Sequence, residues 1–225
     1  MNITVFGDSI CKGVLFDGGR YRRNGSWERS LALELGCEIR NRSRFGSTIH
    51  KALPALRKEM ESPGRSEDLV LLELGGNDCD YDWSAIAADP NGRYQCHTPP
   101  ELFAADYREA IRRIRESGRT PIAANLPPIH AERYFSFICR NGLSRENLLR
   151  WLGEIDAISR WQKTYSDLVV QLAREEQVEL VDLRGVFPRE RDVLERFLCQ
   201  DGIHPSLMGQ ERIYEALRTK AAARI

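Results

Sequence analysis

Five short apolar runs punctuate this chain: Ile3-Thr4-Val5-Phe6, Cys37-Glu38-Ile39, Leu69-Val70-Leu71-Leu72, Pro121-Ile122-Ala123-Ala124 and Val178-Glu179-Leu180-Val181. Such runs suit strands buried on both faces. Helical patterns separate them, over residues 26–36, 48–60, 100–117, 144–176 and 205–223. The third puts Phe103, Tyr107, Ala110, Ile111 and Ile114 on one face and stops at Gly118. The fourth reads as one long helix carrying the stripe Trp151, Ile155, Ile158, Tyr165, Leu168 and Leu172. Strand–helix alternation implies a parallel sheet with helices on both faces, joined by right-handed crossovers. The expected fold is α/β: a flavodoxin-like three-layer α/β/α sandwich of about five parallel strands, as a single domain over residues 1–225. Ligands of such sheets sit at the carboxyl ends of the strands. Any motif that carries chemistry should therefore follow a strand.

Composition narrows the partners. Lysine plus arginine and aspartate plus glutamate number 33 each, so nothing points to a grip on nucleic acid or an anionic membrane. No stretch approaches the roughly 20 apolar residues that span a bilayer. The start, MNITVFGDS, has no basic n-region or apolar h-region, so a cytoplasmic location is expected. The cysteines at 11, 37, 79, 96, 139 and 199 form no C-x-x-C pair, and free thiols are expected. Cys96 and His97 are adjacent, but no second cluster completes a metal site, so neither metal nor organic cofactor is expected.

Three motifs follow the first three runs, and a fourth follows the last run, just before the last helix. Gly7-Asp8-Ser9 leaves the first run, where a strand-to-helix turn is expected to expose a serine hydroxyl and aim its own N–H at a developing oxyanion. Cys11 stands where a G-x-S-x-G elbow has its second glycine, so that motif is not matched. Asn41 to Gly46 leaves the second run, and Gly46 can donate a backbone N–H at the same mouth. Gly75-Gly76-Asn77-Asp78 leaves the third, and Asn77 can offer an amide N–H. Asp201-Gly-Ile-His204 precedes the last helix; an aspartate three residues before a histidine can orient an imidazole general base. Alone, each also reads as a turn, a helix cap or a loop glycine. Together they supply a nucleophile, a base, an orienter and three oxyanion donors at one sheet edge.

This set of blocks resembles the SGNH hydrolase superfamily, the GDSL-type esterases and lipases: GDS at Ser9, N-x-x-x-x-G ending at Gly46, G-x-N-D over Gly75–Asp78 and D-x-x-H over Asp201–His204. Ile10 stands where the family motif has leucine. The resemblance implies Ser9, His204 and Asp201 as a catalytic triad. It implies an oxyanion hole from the Ser9 and Gly46 N–H groups and the Asn77 side chain.

The long connections 79–99 and 126–143 should border the site. Asp8, Asp78, Tyr81, Trp83, Pro128 and His130 are the candidates to line a substrate pocket, with aromatics and carboxylates suited to a sugar. Packing down of the loop competes for Tyr81 and Trp83, and a solvated position competes for His130. No long apolar lid is visible. The expected substrate is therefore a short acyl ester, with an acetylated carbohydrate as the leading example. The same superfamily leaves lysophospholipase and thioesterase open. A non-catalytic glycan- or flavin-binding module is the reading from outside it, although GDSICKG is a poor phosphate cradle.

Overall fold

A computed structural model of the chain describes residues 1–25 and 27–224; Ser26, the first residue of the first expected helix, lies outside them. β1 (Asn2–Gly7) runs into a turn and an antiparallel hairpin, β2 (Val14–Asp17) and β3 (Arg20–Arg23). There follow α1 (Trp27–Leu35), β4 (Glu38–Asn41), α2 (Ile49–Met60), β5 (Leu69–Glu73), α3 (Trp83–Ala88), α4 (Pro100–Glu116), β6 (Thr120–Ala124) and α5 (Ala131–Cys139). The chain closes with α6 (Arg145–Leu152), α7 (Ala157–Glu175), β7 (Glu179–Val181), the short α8 (Arg191–Leu194), a 3-10 turn over Glu195–Phe197 and α9 (Leu207–Ala222).

The sheet has the order β4-β1-β5-β6-β7, with every pairing parallel. This is the flavodoxin-like order, and its reversal point lies between β1 and β5. The pleat divides the core. Phe6, Val70, Leu72 and Ala123 face α2, α4 and α7, whereas Ile3, Val5, Leu69, Leu71 and Ile122 face α9 and the start of α1. The expected face of α4 is buried in full. A third cluster joins α3, α5 and α6. These three helices belong to the connections leaving β5 and β6, so they cap the strand ends.

Four expectations need correction. The long helix over 144–176 is two helices, because Gly153 adopts φ 77° and ends α6; the apolar stripe continues across the break and hides it. The connections 79–99 and 126–143 contain α3 and α5 rather than loop alone. Ser9 does not open a helix. The turn after β1 leads into the β2–β3 hairpin and is closed by Lys12 N–H to Asp8 O and Val14 N–H to Ser9 O. β4 is also less buried than its run suggests, since as an edge strand it exposes Glu38 and Arg40.

Candidate active site

The turn after β1 and the loop before α9 meet at the carboxyl edge of the sheet. His204 Nδ1 lies 2.6 Å from Asp201 Oδ2, and His204 Nε2 lies 2.9 Å from Ser9 Oγ. A carboxylate only accepts, so Nδ1 carries the proton and the Ser9 hydroxyl donates to Nε2. Asp201 is fully buried and also accepts the N–H groups of Ile203 and His204, which locks the loop around its own side chain. Such a chain can pass the serine proton to the imidazole as the oxygen attacks an acyl carbon.

Donors surround the serine. Asn77 and Ser9 line one cavity of about 80 Å³, with Leu126, Pro127 and Ile129 among its apolar walls. The loop that carries Gly46 is tied to β1 by Arg42 N–H to Val5 O and Arg44 N–H to Gly7 O. Gly46 adopts φ 68°, a conformation that favours glycine. The Ser9 and Gly46 N–H groups make no hydrogen bond among the described residues, so both remain open to a ligand.

Beneath the serine lies a pair of carboxyl groups. Asp8 accepts Ile10 N–H at 2.8 Å and Asn77 Nδ2–H at 2.9 Å. Burial pushes Asp8 up to about 6, against the Ile10 and Asn77 donors. Glu73, at the end of β5, is fully buried and neither carboxyl oxygen has a hydrogen-bond partner. Burial first, then the Asp8 charge, holds Glu73 well above the usual carboxylate range. Two adjacent carboxyls share protons unequally. Asp8 has the donors, so the proton resides on Glu73. No sequence signal marks Glu73 beyond its place in a doubly buried strand. Gly7 is needed for space rather than for its φ: a Cβ there would lie 2.8 Å from Cys11 Cβ and 3.1 Å from Glu73 Oε2.

Of the candidate pocket residues, only Asp8 lines the Ser9 cavity, and its carboxylate bonds to protein. Asp78 points away and accepts Ile49 N–H at 3.0 Å at the start of α2; burial pushes it up to about 7. Pro128 is half-buried and stands off the cavity that its neighbours Pro127 and Ile129 line. His130 is buried rather than solvated. It caps α5 through Arg133 N–H, meets Glu195, and its backbone N–H holds Gly202 O at 2.8 Å, bracing the Asp201–His204 loop. Tyr81 and Trp83 line an adjoining groove of about 370 Å³ with Trp151 and Trp161, and Ile158 borders both spaces. A further cleft of about 460 Å³, between Trp27 and Tyr214, contains no histidine and so no comparable relay.

The model of the GDSL-like Lipase/Acylhydrolase family matches residues 5–212, which takes in all four motifs. The chain belongs to this family. Solved GDSL-type structures share its fold. An acetylxylan esterase from Geobacillus stearothermophilus is 19% identical with a TM-score of 0.65, over 98% of this chain and 93% of that one. A lipase/acylhydrolase from Enterococcus faecalis is 18% identical with a TM-score of 0.64, over 100% and 97%. A member of the lipolytic G-D-S-L family from Veillonella parvula is 15% identical with a TM-score of 0.67, over 100% and 99%. No curated protein matches this GDSL-family chain. None of its helices among the described residues is long and apolar enough to cross a membrane.

Proposed function

We propose that this GDSL-family chain is a single-domain serine esterase that removes short acyl groups, acetyl foremost, from a carbohydrate or similar alcohol. The observation that carries the reading is the unbroken relay from Ser9 Oγ through His204 to the buried Asp201. Ser9 attacks the ester carbonyl while His204 takes its proton. Asp201 steadies the imidazolium, and the oxyanion is met by the Ser9 and Gly46 N–H groups and the Asn77 amide. His204 then protonates the departing alkoxide. Water, deprotonated by the same histidine, releases the acid and restores Ser9.

The size of the cavity supports a short acyl group. About 80 Å³ is roughly half of the ~150 Å³ cavity that takes up a benzene, which suits an acetyl or propionyl group. The adjoining groove, where Tyr81, Trp83, Trp151 and Trp161 gather, offers stacking faces to further rings of a larger glycan, beyond the ring that carries the ester. The acetylxylan esterase among the structural relatives is consistent with that choice. Hydrolysis of p-nitrophenyl acetate, butyrate and octanoate tests the reading. Activity that falls with chain length and vanishes in Ser9→Ala is expected; equal activity in Ser9→Ala would refute it.

A further inference from the structure

The direction of proton transfer fixes where the alcohol lies. His204 must hand its proton to the departing oxygen, so the alcohol portion sits on the His204 side of Ser9. Two aromatic rings form that side. Phe45 stacks on the imidazole at 6.0 Å and 12°, and Tyr21, delivered by β3, meets it edge-on at 5.3 Å. The rings lie 4.9 Å from each other and are 52% and 41% exposed, so this is an open collar rather than core. Phe16 and Phe137 back it.

The collar carries unmatched positive charge. Arg140 lies over Phe137 with its guanidinium carbon 3.5 Å from the ring centre. The Tyr21 hydroxyl, raised by burial and by Asp201, is drawn back by the charge and hydrogen bond of Arg140, so this guanidinium borders the same opening. Arg140 and Arg44, which precedes Phe45, have no carboxylate partner among the described residues. Neighbouring arginines are neutralised: Arg22 by Asp17, Arg23 by Glu28 and Arg133 by Glu195. Asp201, the carboxylate that acts on the Tyr21 hydroxyl, is committed to His204.

Resting on the esterase reading, we propose that the Tyr21–Phe45 collar and Arg140 form a leaving-group subsite selecting esters whose alcohol carries a carboxylate or phosphate. A guanidinium offers two parallel donors to such an anion, and the rings supply a flat apolar seat beside it. In the reaction the Ser9 Oγ–acyl bond forms, the acyl–alkoxide bond breaks, and the alkoxide leaves with the His204 proton as a neutral hydroxyl; its anionic substituent stays on Arg140 until release.

The test compares para-acetoxybenzoate with its methyl ester, which share acyl group and ring and differ in one negative charge. The ratio of their kcat/KM values is measured for the wild type, Arg140→Gln and Arg140→Lys. The ratio is expected to fall about ten-fold in Arg140→Gln, the scale of one charged hydrogen bond, and less in Arg140→Lys. In the wild type it falls with added salt, a readout that needs no variant. A ratio that neither substitution nor salt moves overturns the subsite while leaving the esterase intact. Hydrolysis of both esters by Ser9→Ala at the wild-type rate would instead overturn the underlying reading.

Discussion

Replacing Glu73 by glutamine probes the most unusual charge in the molecule. The side chain is fully buried, without a hydrogen-bond partner on either oxygen, and its carboxyl is held well above the ordinary range. The sign follows from proton uptake. Above the unfolded value near 4.5, the unfolded chain releases this proton while the folded protein keeps it. Folding then takes up one proton, so wild-type stability falls as pH rises towards the folded pKa. The contribution is about 1.4 kcal/mol per pH unit. Glutamine has the same shape and no such proton. The Asp8 titration is present in both proteins and cancels in the difference. Urea unfolding at a series of pH values measures that difference. The advantage of Glu73→Gln over wild type is expected to grow by about 1.4 kcal/mol per pH unit. A difference that stays flat with pH would refute the reasoning, because it would mean that Glu73 is ionised in the folded protein.

Other consequences follow from the same geometry. Asn77→Ala should lower kcat on p-nitrophenyl acetate by about 10²–10³ with KM little changed, as expected for a donor used only in the transition state; a change confined to KM would argue for substrate positioning. Gly7→Ala forces a methyl group to within 2.8 Å of Cys11 Cβ and should cost about 1–3 kcal/mol, read as a lowered Tm. Gly202→Ala meets both φ 77° and a 2.6 Å approach to His130 O, so it should displace His204 and lower kcat more steeply than it lowers Tm.

The strands and the four motifs were legible because each depends on local chemistry. Runs buried on both faces announce themselves by composition, and the motifs fall where chain reversal at a strand end needs glycine, asparagine or aspartate. What failed to show in the sequence depends on tertiary surroundings. The β2–β3 hairpin carries a signal in Gly18-Gly19, both at positive φ. Its second strand, Arg20-Tyr21-Arg22-Arg23, is nevertheless exposed throughout and offers no apolar alternation. Tyr21 therefore reached the edge of His204 unannounced. His130 looked like a solvated loop residue because a single histidine has no periodicity; its burial comes from α5 and the 201–204 loop closing on it. Tyr81 and Trp83, for which packing competed with sugar binding, pack on Trp151 and border the neighbouring groove, because Asp82 caps α3 and turns the chain there.

The most direct test of the central claim is covalent trapping. Native protein treated with a fluorophosphonate and followed by intact mass and peptide mapping should gain a single phosphonyl group, on Ser9. His204→Ala should gain it far more slowly and Ser9→Ala not at all. Labelling at another residue, or none on folded wild-type protein, would contradict the assignment of Ser9 as nucleophile.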